Sequence, residues 1–395
     1  MKVLCVLGTR PEAVKMAPIV RQLKATAGIE ARVCVTAQHR QMLDQVLQLF
    51  QIKPEYDLDL MRAGQTMAQV SAGIFTYLDP ILEEFHPDWV LAVGDTTTVV
   101  TTSLLAFYRK IKFGHVEAGL RTHNKWHPFP EEMNRRLATV TADLHFAPTE
   151  WSKGNLLHEG IDEKQIIVTG NSVIDALKYV AGQDVPEEVT DLLDKLGVKG
   201  VEGRGLENRE LEHRGLEHGA SASKPLVLVT AHRRENFGEG MQNICLALRE
   251  LAHCRDVEIV WPVHLNPNVQ EPVNRILKDV PHITLLPPLE YRPMVHLMKH
   301  ATLILTDSGG LQEEAPSFGI PVLVMRETTE RPEGVEAGTL KLVGTETSRI
   351  VQEATRLLED QTEYAKMAKA SNPYGDGHTA KRIVEALLQT SDGQL

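Results

Sequence analysis

Short apolar runs recur along this chain with longer amphipathic stretches between them, and that alternation limits the fold more than any other feature. Runs at residues 3–7, 31–37, 89–93, 113–116 and 166–169 form a first series. Runs at 226–230, 257–263, 283–286, 303–306 and 322–325 form a second. A strand that is apolar throughout is covered on both faces, and helical spacing between the runs, as in Met42, Val46 and Leu49 and over 98–108, supplies the cover. The expected class is therefore α/β, with two Rossmann-like doubly wound parallel-sheet domains facing a central cleft. The first domain is placed at residues 1–172 and the second at 173–378. In such sheets ligands bind beyond the carboxyl ends of the strands, so chemistry is sought in the loops that follow them.

One segment breaks the alternation. Residues 199–223 contain a five-residue repeat in which Leu206, Leu211 and Leu216 step by five. On a helix that step turns each leucine by about 140° from the last, and on a strand it alternates faces, so no common apolar face forms. The segment reads as a solvated, mobile insertion.

Composition narrows the partners. The chain carries 42 Lys+Arg against 53 Asp+Glu, a net charge of −11, and lacks the basic footprint that nucleic-acid binding requires. An anionic ligand would need positive charge gathered locally against that balance. Cys5, Cys34, Cys245 and Cys254 are too few and too scattered for a disulfide framework, and Cys5 and Cys34 read as small buried thiols. The apolar run at 3–7 is too short for a signal peptide, and no stretch approaches the roughly 20 residues of a membrane helix. A cytoplasmic protein without membrane partners is expected.

Two strand-to-helix loops look ready for an anion. The first strand ends in Gly8-Thr9-Arg10-Pro11-Glu12; Pro11 suits the first turn of a helix, and Arg10 and Lys15 flank its free amides. In the second half, Asp307-Ser308-Gly309-Gly310-Leu311-Gln312-Glu313-Glu314 repeats that architecture. Its glycines let backbone approach a diphosphate, Ser308 can donate, and Glu314 can accept from ribose hydroxyls. Opposing loops of this kind favour a nucleotide-diphosphate ligand.

Acids and histidines follow other strands. Asp95 sits at a strand end, where it also suits an N-cap; Glu117 follows the next strand; Glu131 opens a helix. Converging carboxylates in unlike surroundings can divide acid and base roles, but ordinary Asp and Glu pKa values of about 3.9 and 4.3 must be raised for one to donate at neutral pH. His232 and His264 end strands in the second half, with Arg233 and Arg234 beside the first. Neither fits a close metal-ligand spacing, so no metal is expected. Gly375-Asp376-Gly377-His378-Thr379-Ala380 matches a dinucleotide fingerprint formally, yet it follows Ser371-Asn372-Pro373-Tyr374 rather than a strand. It reads as a turn, and no nicotinamide cofactor is implied.

Taken together, Gly8 to Glu12, Gly94 to Thr98, His115 to Thr122, Pro130 to Arg135, Thr230 to Gly238, Asp307 to Gly310 and Thr328 to Gly334 resemble the non-hydrolysing UDP-N-acetylglucosamine 2-epimerases. The resemblance implies the glycosyltransferase-B fold, a UDP-sugar between two domains, a homodimer, and a helix at about 379–395 packing back on the first domain. It implies Asp95, Glu117, Glu131 and His232 as the catalytic group. It implies Arg10, Lys15, His264, Ser308, Gly309, Gly310, Glu314 and Arg331 as the UDP-holding set. It further implies a second UDP-N-acetylglucosamine as activator near Gln38 and Gln41. Leu289 and Met294 stand where some members have Gln and Phe, and Gly64 where some have Arg.

With no dinucleotide fingerprint, inversion at carbon 2 is expected to run by elimination of UDP to 2-acetamidoglucal and re-addition, giving the N-acetylmannosamine derivative. A glycosyltransferase on the same fold, a nucleotide-sugar sensor and a hydrolysing epimerase are the rival readings.

Overall fold

The computed structural model describes residues 1–36, 40–60, 62, 64–198 and 224–391. The repeat segment 199–223 lies outside them. The chain divides into two compact units, Met1–Ala176 with Tyr374–Leu395, and Leu177–Pro373.

The first unit alternates strand and helix. Its elements are β1 (Lys2–Leu7), α1 (Arg10–Ala25), β2 (Glu30–Val35), α2 (Arg40–Leu49), β3 (Tyr56–Asp57), α3 (Met67–Phe85) and β4 (Trp89–Val93). There follow α4 (Thr97–Tyr108), β5 (Lys112–Val116), α5 (Glu131–Thr141), β6 (Leu144–Ala147), α6 (Glu150–His158), β7 (Ile166–Val168) and α7 (Ser172–Ala181), which runs into the second unit. All seven strands are parallel, in the order β3-β2-β1-β4-β5-β6-β7. β4 is buried along its whole length, as a central strand with helices on both faces must be. Gly119, after β5, has φ +91°, and a methyl group there would lie 2.3 Å from the Ser152 carbonyl oxygen, so only glycine fits.

The second unit holds α8 (Glu187–Leu196), β8 (Leu226–Thr230), α9 (Glu239–Cys254), β9 (Glu258–Pro262), α10 (Pro267–Leu277), β10 (Ile283–Leu286) and α11 (Tyr291–His300). It continues with β11 (Leu303–Thr306), α12 (Gly309–Glu314), β12 (Val322–Val324), α13 (Pro332–Glu336), β13 (Leu340–Leu342), α14 (Thr347–Glu359) and α15 (Gln361–Ala368). Its six parallel strands run β10-β9-β8-β11-β12-β13, and the core of Trp261, Leu248, Leu305 and Ile350 fills the space under α9 and α14.

α16 (Thr379–Ser391) then returns to the first unit, packing on α1. Asp175 accepts from the Thr379 and Ala380 amides at 3.2 and 2.9 Å, which satisfies orphan donors at the helix start. Of the 375–380 stretch read as a turn, residues 375–378 are irregular, and Thr379 and Ala380 already open α16.

Both sheets reverse their winding between neighbouring strands, at β1/β4 in one and at β8/β11 in the other. Loops leaving the two strands at such a point diverge and open a crevice, which fixes where each unit presents its ligand-facing residues.

Candidate active site

At the β1/β4 reversal one buried carboxylate ties both loops. Thr9 caps α1, and Glu12 completes a capping box by accepting from the Thr9 amide at 2.7 Å. The same oxygen, Oε2, accepts from the Gly8 amide at 2.8 Å, while Oε1 accepts from the Thr96 hydroxyl across the reversal at 2.5 Å. Burial pushes the Glu12 pKa up, and these donors pull against it. The side chain of Arg10, the first residue of α1, has no hydrogen-bond or ion-pair partner among the described residues.

The three acids singled out from sequence lie in unlike settings. Asp95 does not cap α4: Thr96 is the N-cap residue, and its side chain makes no bond to the α4 amides. The Asp95 carboxylate instead meets Arg135 of α5, with Nε 2.9 Å and Nη2 2.7 Å from Oδ2, because α5 runs past the β4 end and a guanidinium outcompetes a local amide. Asn134 donates to the Asp95 carbonyl at 2.8 Å. Glu131 is three and four residues before Asn134 and Arg135, so it shares their face of α5. It has no partner among the described residues. Glu117 adopts φ +63° after β5, an uncommon conformation for a non-glycine residue that tends to mark functional sites. Its carboxylate contacts the Lys15 ammonium and accepts from Asn171 Nδ2 at 3.0 Å. A methyl group on Gly94, the residue before Asp95, would lie 3.5 Å from its Oε2.

Two further groups hold these loops. Glu132, fully buried, accepts from the Thr122 and His123 amides, both at 3.0 Å, and lies 3.3 Å from Arg135. His115 donates from Nε2 to the Gly94 carbonyl at 2.7 Å, and burial lowers its pKa to about 4, so the ring is neutral with the proton on Nε2. His145, its cross-strand neighbour, is lowered to about 3 by burial.

In the second unit the reversal is closed the same way. Thr230 and Thr306 share a hydroxyl contact at 2.7 Å, and just beyond them Asp307, fully buried, accepts from the backbone amides of His232 (2.9 Å) and Arg233 (2.8 Å) and from Asn236 Nδ2 (3.0 Å). His232 Nδ1 is 3.6 Å from Asp307 Oδ1, and its ring stacks on His264 with centroids 5.3 Å apart. Burial lowers the His232 pKa, with Asp307 opposing and Arg233 and His264 assisting. Ser308 is the N-cap of α12. A methyl group on Gly309 would sit 3.3 Å from Arg331 Cζ and 3.6 Å from Arg233 Nη2, so two guanidiniums close over a backbone that must stay bare. Arg331 is anchored by Glu313 at 2.8 Å, and its loop by Arg326, whose guanidinium meets Glu330 at 2.7 Å and Glu235. Arg326 holds the Glu330 pKa down at about 2. Glu314 is buried and accepts from the Tyr291 hydroxyl at 2.7 Å.

Each unit thus groups its own share of the expected residues. Arg10, Lys15, Asp95, Glu117 and Glu131 gather in the first, and His232, His264, Ser308, Gly309, Gly310, Glu314 and Arg331 in the second. Gln38 and the side chain of Gln41 lie outside what the structure describes. Sequence reading passed over Glu12, Glu132, Asn171 and Asp307 as functional groups. Glu12 and Asp307 stood inside quoted motifs, and their only signal was position at the two strand reversals. No cluster of three or more His, Cys, Asp or Glu suited to a metal occurs among the described residues, nor any helix long and apolar enough to cross a membrane.

A family model described as UDP-N-acetylglucosamine 2-epimerase matches residues 21–388. The UDP-N-acetylglucosamine 2-epimerase of Escherichia coli (strain K12) is 55% identical over 388 residues, with 98% of each chain covered. That of Yersinia pestis is 54% identical over 390 residues, again with 98% of each covered. The crystal structure of the UDP-GlcNAc 2-epimerase from Neisseria meningitidis, bound to UDP-GlcNAc, superposes with a TM-score of 0.84 at 49% identity, covering 98% of this chain and 100% of that one.

Proposed function

This chain belongs to the UDP-N-acetylglucosamine 2-epimerase family, and from that premise we propose that it interconverts UDP-N-acetylglucosamine and UDP-N-acetylmannosamine without hydrolysing either. The observation that carries the reading is the unlike charge setting of three carboxylates of the first unit. Asp95 faces a guanidinium, Glu117 an ammonium, and Glu131 no cation among the described residues. Groups of one chemistry in different fields are what paired acid and base steps require.

The proton on carbon 2 is not adjacent to a carbonyl, so its loss is coupled to departure of UDP. One carboxylate takes that proton, the carbon–hydrogen electrons form the C1–C2 double bond, and the C1–O bond breaks with its pair on the β-phosphate. UDP and 2-acetamidoglucal result. On return, a second carboxylic acid protonates the opposite face of carbon 2 as the phosphate oxygen re-forms the bond to carbon 1. No electrons leave the system, so no redox cofactor is needed. In this reading the negative charge on departing UDP is matched by Arg233 and Arg331, with His232 and the Ser308 hydroxyl as donors. Glu314, held by Tyr291, suits the ribose.

Incubation with UDP-N-acetylglucosamine in heavy water, followed by proton NMR, tests the reading. Deuterium at carbon 2 of intact UDP-sugars is the expected result. Folded protein that releases free N-acetylmannosamine, or leaves carbon 2 unexchanged, refutes it.

The same reading makes the protein a cytoplasmic homodimer. Support for the dimer comes from α3, α4 and α5, which pack side by side and expose Tyr77, Phe107, Tyr108, Leu137 and Val140, the last 82% accessible.

A further inference from the structure

We propose that Asp307 is a positioning residue for His232 and Arg233: it fixes both backbones and holds the His232 ring with Nδ1 turned inward and Nε2 outward. The inference rests on the epimerase reading, which gives His232 and Arg233 their work on departing UDP.

The geometry is specific. Asp307 follows β11 and is fully buried, yet it spends both carboxylate oxygens on the neighbouring loop. Two consecutive amides, of His232 and Arg233, converge on it, and Asn236 adds a third donor from the turn beyond. A carboxylate can accept from all three, whereas an amide side chain would set an N–H against an N–H. With the His232 backbone held there, Nδ1 lies 3.6 Å from Oδ1, so Asp307 favours a proton on Nδ1 and leaves Nε2 as the exposed nitrogen. The Arg233 guanidinium, whose backbone rides on the same carboxylate, reaches over Gly309.

Asp307 also sets the charge of the ring. The groups facing His232 are Asp307 from the loop after β11, Arg233 from its own loop and His264 from the loop after β9. Burial, Arg233 and His264 all favour the neutral ring, and Asp307 alone opposes them. Removing its charge therefore makes His232 harder to protonate.

The test is a 13C-histidine NMR titration of the full chain, with the His232 resonance assigned by its loss in His232→Gln. In Asp307→Asn the His232 pKa falls by about half a unit or more. In Asn236→Ala, which strips one donor from the carboxylate and leaves its charge, the pKa shifts the other way. Epimerisation by Asp307→Asn drops roughly tenfold or more in kcat with a smaller change in KM, and the pH limb of kcat moves with the titration. A His232 titration unchanged in both variants overturns the proposal, including where Asp307→Asn alone fails to fold and Asn236→Ala shows no shift. A shifted titration with wild-type kcat overturns the positioning role, while absence of carbon-2 exchange in the wild type instead strikes the epimerase reading.

Discussion

Replacing Glu12 separates what its shape contributes from what its charge contributes. Truncation to alanine strands the Gly8 and Thr9 amides and the Thr96 hydroxyl, three donors that now end on one carboxylate. At about 1–3 kcal/mol for each stranded buried group, partly relieved by water reaching Thr9, Glu12→Ala loses roughly 3–6 kcal/mol. Glutamine keeps the volume. Its carbonyl can take both amides, and its NH2 can donate to Thr96, whose hydroxyl turns to accept, so Glu12→Gln stays within about 1 kcal/mol of wild type at neutral pH. The two variants also differ in pH response. The folded pKa of Glu12 is raised, so between the unfolded value and the raised one the folded chain holds the extra proton. Wild-type stability is helped below that window and declines as pH rises through the folded pKa, whereas Glu12→Gln lacks this decline. Urea melts of both variants across pH 4 to 8, followed by circular dichroism, measure the difference. The reasoning fails if the alanine and glutamine variants are equally stable at neutral pH, or if the glutamine variant retains the wild-type pH slope.

Gly119→Ala forces a left-handed backbone and a collision with the Ser152 carbonyl, so it should lower stability by about 3 kcal/mol or more, read as a depressed Tm. Arg135→Met leaves Asp95 without its cation and should lower kcat at least about tenfold while UDP binding, measured by calorimetry, stays close to wild type. Glu330→Gln should lose up to about 3 kcal/mol at neutral pH; because the folded pKa is depressed to about 2, the deficit shrinks as pH falls from 4.5 towards 2, and acid melts would show the curves converging. Val140→Glu places a charge on the exposed α5 face and should convert a dimer to monomer in analytical ultracentrifugation; an unchanged mass would remove that face as the interface.

The fold was legible because a fully covered strand has to be apolar on both faces, and runs such as 89–93 and 226–230 coincide with β4 and β8 to the residue. β3, β6 and β13 escaped that signal. β6 has only four residues and includes His145, and β3 is a two-residue edge pairing. The expected site residues were legible through their place after strands, but their partners were not. Arg135 is 40 residues from Asp95, and Lys15 is 102 from Glu117, separations over which a single sequence carries no pairing signal. Glu12 stands in the sequence only as the last residue of the Gly8-Thr9-Arg10-Pro11-Glu12 loop, which hides its reach to Thr96, and Asp307 reads as the edge of a glycine-rich loop. Asp95 misled in the opposite sense: its position suits a cap, and only the path of α5 shows that a guanidinium claims it.

The return of α16 to α1 has a consequence for synthesis on the ribosome. Residues 374–391 emerge only after all of residues 177–373, so the second unit can finish folding while the first still lacks a helix. Until then Asp175 has no amides to accept, and α1, which carries Arg10 and Lys15, presents an uncovered flank. The sheet that bears the three acids is thus translated first and completed last. A translation stall after residue 373 would leave a nascent chain with its second unit able to fold and its first, acid-bearing unit without α16 and open to chaperones and proteases.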